Sequence, residues 1–444
     1  MSDSAWTNLP QKLGGEDIIG RLNEALKSDP QFLAFVRSEA LDSPVTFGFV
    51  TNSTSNAILI TVSNGKGHAS LGPTSESASF TITALPDQWS KFFQRTPPPG
   101  FQNYWSMLRY NLSRDDVAVL GSQLDFARFA HIWRRALEML HDLYCGPTPL
   151  DTEAETEDDF VQGRYVFIRT PTWGRTKIHV EYSGEGEQEI LFLHTAGADS
   201  RQYHGVMNDE RMRAKCKMYA FDLPSHGRSY PAQVPFGAYS NTEDSYVGCI
   251  AAVIKKLGLR RPIVCGASMA GQVCLAVAIR NNEVESGGVI SLEGCDHLTR
   301  DRSWSDQSPY VNQATFVPEA IYGLIAPTAP AANKALIWHQ YSSGGYGLFH
   351  GDLDFYNTGW DGRDRVSKIN TSECPVYMLT GEYDYSTTPE MSKATADKIK
   401  GARFEKMEQL GHFPATENPA KFVPYLLKAI EGIQVQQGRS SWSQ

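Results

Sequence analysis

The most constraining feature of the sequence is the run VCGASMAGQV, which spans residues 264–273 and is apolar on both sides of a single serine, Ser268. The letters PIVC before the serine are typical of a buried strand, and QVCLAVAIRN after it is typical of a buried helix. Gly266, Ala270 and Gly271 flank the serine. A tight turn between a strand and a helix brings backbones close together, which only such small residues permit. The run therefore predicts a strained turn that presents Ser268.

The second part of the chain alternates strand-like and helix-like segments. The strand-like segments are RYVFIRT, KIHVEYSG, EILFLHT, KMYAFDLP, PIVCGAS, GGVISLEG and CPVYMLTGEYD. The first two indicate a hairpin, and the others are continuously hydrophobic, as strands buried on both faces are. This pattern predicts an α/β fold over residues 164–432, with a mostly parallel sheet covered by helices on both faces. In such sheets functional residues collect at the carboxyl ends of the strands.

The first part of the chain has a different pattern. Three β-rich runs, PVTFGFVTN, AILITVSNG and ASFTITAL, are separated by turn residues and indicate consecutive antiparallel strands. Helical periodicity precedes them in DIIGRLNEALKSDPQFLAFVRSE and follows them in PDQWSKFFQR and LDFARFAHIWRRALEMLHDLY. These segments predict a smaller α+β domain over residues 1–145. The acid-rich stretch at 146–163 predicts a linker, and residues 433–444 a flexible tail.

The nucleophile hypothesis for Ser268 requires partners elsewhere in the chain. A serine hydroxyl is a poor nucleophile until a base removes its proton, so a histidine held by an acid should lie downstream. The segment GEYD ends a strand and offers Asp384, and LGHFP offers His412. Glu293, at the end of the strand that follows the serine helix, is the alternative acid.

The segment FDLPSHGRS, residues 221–229, matches the loop signature that follows a strand of α/β-hydrolases, and the order serine, acid, histidine is that of the same family. The second part of the chain thus resembles the α/β-hydrolase family. The GEYD turn matches the usual position of the acid in this family, so the resemblance favours Asp384 over Glu293. The resemblance implies an oxyanion hole formed by the backbone N–H groups of Ala196, in LHTAG, and Met269. His194 and Thr195, in the same LHTAG loop, are predicted to contact the substrate.

The N-terminal segments ITVSNGKGHASLG, ASFTITALPDQWSKFF and DVAVLGSQLDFARFAHIW are similar to the SCP2-like sterol-carrier fold. The resemblance covers about Gly15 to Tyr144 and implies a sheet and helices around an apolar tunnel. Such a domain could deliver an apolar substrate, cover the mouth of the active site or mediate a homodimer.

A long insertion separates two of the predicted strands. It comprises about 80 residues, whereas an ordinary connection of this kind has ~2–6, and it predicts a lid at about residues 297–372. Aromatic residues are frequent in it: Trp304, Tyr310, Phe316, Tyr322, Trp338, Tyr341, Tyr346, Phe349, Phe355, Tyr356 and Trp360. They suggest a bulky apolar or aromatic substrate, although most of them also suit a core of the lid itself. The candidate substrate contacts among them are Trp338, Tyr341, Tyr346 and Phe349.

Composition narrows the function classes. The 444-residue chain has a net charge of −9 and no cluster of lysine and arginine, which argues against a nucleic-acid partner. No apolar run approaches the ~20 residues of a membrane span. Seven scattered cysteines and an N-terminus without a signal pattern predict a cytoplasmic protein with reduced thiols. The HxDxD spacing of His350, Asp352 and Asp354 suits a metal poorly, so we expect no metal and no cofactor.

Together these features predict a serine hydrolase that forms an acyl-enzyme with an activated carbonyl, an ester or a lactone, of a small-molecule substrate. Ser268 would attack, His412 would transfer the proton and Asp384 would orient His412. The family resemblance leaves hydrolysis of a C–C bond in a β-diketone-type substrate as an alternative, and perhydrolase or acyl-transfer chemistry open. A non-catalytic module that binds a lipid or small molecule, as a receptor does, is a third hypothesis. Such a module need not keep a serine that reacts with a fluorophosphonate.

Overall fold

The computed structural model describes residues 6–38, 43–52, 54–73, 78–108, 117–153, 157–298 and 304–439. The chain divides into two compact units. The N-terminal unit comprises residues 1–150 and 304–323, and the C-terminal unit comprises residues 151–303 and 324–444. Residues 154–156 of the predicted linker, 299–303 of the predicted lid and 440–444 of the predicted tail lie outside the described residues.

The N-terminal unit contains a five-stranded sheet in the order β3-β2-β1-β4-β5. Its strands are β1 (Val45–Thr51), β2 (Asn56–Ser63), β3 (Lys66–Pro73), β4 (Phe80–Ala84) and β5 (Ala118–Gly121). The three β-rich runs of the sequence form β1, β2 and β4. The expectation that all three run antiparallel is wrong for β4, which pairs in parallel with β1. The reason is that β3 occupies the outer edge of β2. The chain must therefore cross the sheet after β3, and β4 pairs with the free edge of β1.

Seven helices from the first 150 residues belong to the same unit: α1 (Leu9–Lys12), α2 (Glu16–Ser28), α3 (Pro30–Ser38), α4 (Pro86–Phe92), α5 (Tyr104–Leu108), α6 (Gln123–Arg128) and α7 (Ala130–Cys145). Helix α2 buries Ile18, Leu22 and Leu26 on one face, as its periodicity predicts. Aromatic rings fill much of the core. Phe126 stacks on Trp133 with ring centroids 4.8 Å apart.

The C-terminal unit contains an eight-stranded mixed sheet in the order β13-β12-β11-β10-β8-β9-β7-β6. Its strands are β6 (Gln162–Thr170), β7 (Gly174–Ser183), β8 (Gln188–Leu193), β9 (Cys216–Phe221), β10 (Ile263–Ala267), β11 (Gly288–Leu292), β12 (Val376–Gly381) and β13 (Arg403–Met407). Strands β8 to β13 are parallel, and β6 and β7 form an antiparallel hairpin at one edge. The seven predicted strands and the mostly parallel α/β architecture are confirmed, and β13 extends the sheet by one strand.

The remaining helices are α8 (His204–Asn208), α9 (Glu210–Lys215), α10 (Glu243–Leu257), α11 (Met269–Ile279), α12 (Asn281–Val284), α13 (Gln313–Tyr322), α14 (Ala331–Ser342), α15 (Leu348–Leu353), α16 (Pro389–Ala396), α17 (Pro414–Glu417) and α18 (Pro419–Gln436). Buried residues of α10, α11 and α16 share one hydrophobic core with the sheet, and those of α8, α9 and α18 share a second core with it. None of the helices in the described part of the chain has the length and hydropathy needed to cross a bilayer.

The stretch predicted as a lid contributes to both units. Helix α13 belongs to the N-terminal unit, whereas α14, α15 and the π-helical turn Asp354–Gly359 belong to the C-terminal unit. Helix α18 continues to Gln436, four residues into the stretch predicted as a flexible tail.

Candidate active site

The turn at Ser268 is as tight as its small neighbours predict. Ser268 has φ +61° and ψ −121°, in the left-handed region that residues with a side chain rarely occupy. A Cβ atom on Gly266 would lie 2.5 Å from Cβ of Ala270, and one on Gly271 would collide with the carbonyl oxygen of Leu292. The Ser268 side chain does not cap α11 within the described residues. Ser268 is thus held in a strained conformation at the carboxyl end of β10, and its hydroxyl is not used for capping.

The predicted base and acid form a direct contact. Nδ1 of His412 lies 2.7 Å from Oδ2 of Asp384, and both side chains are buried. The other carboxylate oxygen of Asp384 accepts the backbone N–H groups of Ser386, at 2.7 Å, and Thr387, at 3.2 Å. Because Asp384 accepts the Nδ1 proton, a neutral His412 ring keeps its lone pair on Nε2, the nitrogen that a general base uses in a triad.

The alternative acid, Glu293, lies beside Asp384. Its side chain hydrogen-bonds Asp384 and also accepts the backbone N–H of Gly381, at 3.0 Å. Burial, and next the negative charge of Asp384, raise the pKa of Glu293 well above its usual range. The protonated form of Glu293 is therefore favoured and can donate a hydrogen bond to Asp384, while Asp384 contacts the histidine.

Sheet topology places these residues at one edge of the sheet. Strands β10, β11, β12 and β13 are parallel neighbours, so their carboxyl ends lie at one edge of the sheet. Ser268 and Glu293 immediately follow β10 and β11, and Asp384 and His412 follow β12 and β13 within a few residues. The backbone N–H of Ser268 donates to the carbonyl of Leu292, 3.0 Å away, which links the serine turn to the neighbouring strand.

The two predicted oxyanion donors occupy adjoining strand ends. Met269 is the first residue of α11, and the N–H of a first helical residue has no acceptor within its own helix. Ala196 is buried in the loop that follows β8, the strand next to β10. The next residue, Gly197, has φ +68° and donates its N–H to Oδ2 of Asp352, 2.8 Å away.

His194 and Thr195 are both buried in this loop and are hydrogen-bonded within the protein. Nδ1 of His194 lies 2.8 Å from the Thr195 carbonyl, and its Nε2 accepts the N–H of Leu223 at 3.1 Å. Burial, and next the charge of His226, lower the pKa of His194, consistent with a neutral ring. Oγ1 of Thr195 lies 2.6 Å from the hydroxyl of Tyr341.

The four aromatic residues predicted to contact the substrate differ in their surroundings. The Tyr341 ring lies 5.9 Å from that of Phe349 and 5.6 Å from that of Phe413, the residue after His412. A Cβ atom on Gly197 would lie 2.8 Å from the Phe349 ring, so Phe349 packs directly on the Ala196 loop. Trp338 is half-buried in α14, and Tyr346 is 91% exposed. Tyr341 and Phe349 thus both contact the loop that carries the candidate oxyanion donor Ala196.

Two further groups of the site were not identified from the sequence. Glu417, in α17, accepts the N–H groups of Gly411 and Ala326, and burial raises its pKa to about 8. Asp352, which the sequence presents only as part of a weak metal pattern, forms a buried pair with His226. In the sequence, the only indication for Asp352 was its position as an acidic residue within an aromatic-rich stretch. The tertiary structure was needed to identify His226 as its partner.

Comparisons with known proteins agree with this fold. A model of the alpha/beta hydrolase family matches residues 190–424. An esterase from Thermogutta terrifontis, solved with malate bound, superimposes with a TM-score of 0.50 at 20% identity, over 61% of this chain and 99% of its own. A candidate aryl esterase from Burkholderia cenocepacia gives a TM-score of 0.52 at 17% identity, over 62% of this chain and 100% of its own. The chain has no significant match among curated protein sequences.

The family match begins at residue 190, so the similarity of residues 15–144 to the SCP2-like fold stays a prediction. The match covers more than half of the chain and includes the turn at Ser268, the Asp384–His412 pair and all the parallel strands that carry them. It confirms the predicted hydrolase class. The chain belongs to the alpha/beta hydrolase family.

Proposed function

We propose that the protein is a serine hydrolase that cleaves an ester or lactone of a bulky apolar or aromatic small molecule through an acyl-enzyme. The observation that carries the proposal is the 2.7 Å contact between His412 and Asp384, on the same sheet edge as the strained turn of Ser268. This is the arrangement of base and orienting acid that a serine nucleophile requires.

The first half-reaction forms the acyl-enzyme. Nε2 of His412 takes the Ser268 proton while Oγ bonds to the carbonyl carbon, and the carbonyl electron pair moves onto its oxygen. The N–H groups of Ala196 and Met269 stabilise that oxyanion. The oxyanion then re-forms the carbonyl, the C–O bond to the alcohol breaks, and His412 protonates the leaving oxygen.

The second half-reaction releases the acid. His412 removes a proton from water, the hydroxide oxygen bonds to the acyl carbon, and the same N–H groups stabilise the second oxyanion. Collapse breaks the bond to Ser268, which recovers its proton from His412. Asp384 keeps its charge throughout and stabilises the imidazolium that forms twice in each cycle.

The substrate class is supported by the aromatic side chains around the Ala196 loop. Tyr341, Phe349 and Phe413 offer ring faces and edges, and the Thr195–Tyr341 hydroxyl pair is a polar group among them. Sites lined by rings with a few polar groups select apolar molecules and orient them by hydrogen bonds. We therefore expect aryl or long-chain acyl esters and lactones to be hydrolysed faster than short, charged ones.

The cytoplasmic location is also part of the proposal. All seven cysteines lie within the described residues and are free thiols, which a reducing compartment maintains. For the N-terminal unit, delivery of an apolar substrate is the role that fits a sterol-carrier-like domain, and a homodimer stays a prediction.

The experiment compares wild type with Ser268→Ala on p-nitrophenyl esters, lactones and β-diketones, together with labelling by a fluorophosphonate. We expect the wild type to be labelled and to hydrolyse esters or lactones, and Ser268→Ala to lose labelling and at least about 10³-fold in kcat. Ser286→Ala removes another buried serine hydroxyl and is the matched control, which should retain both activities.

Three outcomes would contradict the proposal. Turnover of β-diketones with no ester turnover would assign the chain to C–C bond hydrolysis. A folded wild type that is neither labelled nor active would favour the binding-module hypothesis. Undiminished activity of Ser268→Ala would exclude this nucleophile.

A further inference from the structure

A buried ion pair lies beside the predicted oxyanion donors. His226 belongs to the loop at residues 221–229, and Asp352 belongs to α15. Nε2 of His226 lies 2.9 Å from Oδ2 of Asp352, and the two side chains are 1% and 0% exposed. Buried charges are costly unless they are paired, so such a pair constrains the segments that carry it. Neither residue has a part in the proton transfers described above.

His226 is the positive member of the pair. Its Nδ1 faces the carbonyl oxygen of Pro224 at 3.1 Å, while its Nε2 faces Asp352. Because both partners are acceptors, both ring nitrogens carry protons. Burial disfavours the imidazolium, but the charge of Asp352 and the hydrogen bonds to Asp352 and Pro224 together raise the pKa of His226. For Asp352, burial disfavours the charged form, but the charge of His226 and the hydrogen bonds from His226 and Gly197 together lower the pKa.

The Asp352 carboxylate is connected to both predicted oxyanion donors. Its Oδ2 accepts the N–H of Gly197 at 2.8 Å, and its Oδ1 accepts from the Tyr239 hydroxyl at 3.0 Å and from Nδ2 of Asn241 at 3.4 Å. The same Asn241 nitrogen lies 3.7 Å from Sδ of Met269. One carboxylate therefore binds the residue that follows Ala196 and, through Asn241, contacts the side chain of Met269.

The bond to Gly197 determines the orientation of the Ala196 loop. The Ala196 carbonyl and the Gly197 N–H belong to one planar peptide unit, so holding that N–H limits the rotation of the chain next to the Ala196 donor. Helix α15 also restricts this loop, since Phe349 packs against Gly197 and leaves no room for a Cβ there. An oxyanion donor is effective only if it is oriented before the charge develops.

We propose that Asp352 and His226 are positioning residues that hold the Ala196 N–H in the orientation needed to stabilise the oxyanion, an inference that rests on the proposed function. The pair acts through the Gly197 peptide and touches neither the nucleophile nor the proton carried by His412. Its removal should therefore impair the step in which negative charge develops on the carbonyl oxygen more than substrate binding.

The test compares an aryl ester that the wild type hydrolyses with the thionoester of the same acid and alcohol. In the thionoester the developing charge lies on sulfur, a larger and weaker hydrogen-bond acceptor, so well-placed N–H donors contribute less. We expect Asp352→Asn to lower kcat on the ester by about 10- to 100-fold with little change in KM. We expect the ratio of ester to thionoester kcat/KM to fall by about tenfold.

Asp352→Asn leaves His226 as a buried cation and can fail to fold, so a second variant is needed. The double variant Asp352→Asn/His226→Gln removes both charges, and its fold is checked by circular dichroism and thermal melting. We expect the folded double variant to show the lowered ratio as well. Glu181→Gln is the matched control, because it removes a buried carboxylate from another acid–histidine pair, Glu181 with the half-buried His204 in the same unit.

The outcomes separate this inference from the proposed function. A folded double variant with the wild-type ester-to-thionoester ratio overturns the inference alone. A ratio lowered equally by Glu181→Gln also overturns it, because the effect would then not depend on the Ala196 loop. A wild type that hydrolyses no ester and is not labelled at Ser268 overturns the proposed function and this inference with it.

Discussion

Asp384 and Glu293 are neighbouring carboxyl groups with different partners. Asp384 accepts hydrogen bonds from His412, Ser386 and Thr387. Burial, and next the charge of Asp384, raise the pKa of Glu293, which favours its protonated form. These surroundings suit Asp384 as the acid of the proposed triad and Glu293 as a hydrogen-bond donor to it.

The two roles can be distinguished by separate substitutions. We expect Asp384→Asn to lower kcat by about 10³- to 10⁴-fold, because an amide favours the wrong tautomer of His412. Glu293→Gln keeps an N–H donor toward Asp384 and should retain most of kcat. Steady-state kinetics on one ester checks both variants. Wild-type activity in Asp384→Asn, or a larger loss in Glu293→Gln, would reverse the assignment.

At the scale of elements, hydrophobic continuity predicted the strands of the C-terminal sheet from β8 to β12, since it is a local property of the sequence. Three strands, β3, β5 and β13, were not predicted from the sequence, and for β13 and β3 the physical reason is visible. Strand β13 (RFEKM) is an edge strand with alternating charges, and β3 (KGHASLGP) is rich in glycine and polar residues. Their strand conformation depends on pairing with β12 and β2, which the local sequence does not encode.

Glu417 connects two segments of the chain next to His412. One carboxyl oxygen accepts the N–H of Gly411, which precedes His412, and the other accepts the N–H of Ala326 at 3.2 Å. The backbone N–H of His412 itself donates to the carbonyl of Leu324, 3.0 Å away. Glu417 thus fixes the turn before the histidine to the segment that follows α13.

The raised pKa of Glu417 makes stability depend on pH. Between its ordinary value of 4.5 and about 8, the unfolded chain is ionised at this group while the native protein keeps the proton. Native Glu417 therefore binds more protons, and stability falls as pH rises through that window. Relative to wild type, we expect Glu417→Gln to remove a slope approaching about 1.4 kcal/mol per pH unit.

Denaturant unfolding at several pH values between 5 and 8 measures this difference. Glu408→Gln, which removes an exposed glutamate from the same turn region, is the control and should keep the wild-type slope. Parallel curves for wild type and Glu417→Gln would show that the native protein does not hold this proton. A constant offset of about 1–3 kcal/mol from the altered hydrogen bonds is expected and does not bear on the slope.

At the scale of the whole molecule, the chain passes from the C-terminal unit to the N-terminal unit and back. Residues 304–323 contribute α13 to the N-terminal unit, where Phe316 packs on Trp105 with ring centroids 5.9 Å apart. Arg134 binds Glu319 through two of its nitrogens, and both side chains are buried. The N-terminal unit is therefore completed by a helix from the stretch predicted as a lid.

Because α13 belongs to the N-terminal unit, we can predict the behaviour of a fragment that comprises residues 151–444. Without residues 1–150, Val311, Phe316 and Ala320 lose their buried surroundings and form an exposed apolar surface. We expect the fragment to associate, and Phe316→Ser to raise its monomer fraction while lowering the melting temperature of the full chain. Size exclusion with light scattering and thermal melting measure the two effects.

Tyr310→Ser is the control for this prediction, because Tyr310 is already exposed in the full chain. It should leave the melting temperature of the full chain unchanged. A monomeric fragment with the thermal stability of the full chain would show that α13 does not need the N-terminal unit.

The sequence by itself determined the strand ends and the residues placed there: Ser268 between small residues, Ala196 in its loop, and Asp384 and His412 after later strands. These features could be predicted because periodicity and turn composition act over a few residues, and the parallel topology aligns the strand ends. Only the tertiary structure decided that Glu293 hydrogen-bonds Asp384, that Asp352 pairs with His226, and that α13 joins the N-terminal unit. Those contacts join residues far apart in the chain, and buried polar groups are satisfied by whichever partners the packed fold brings to them.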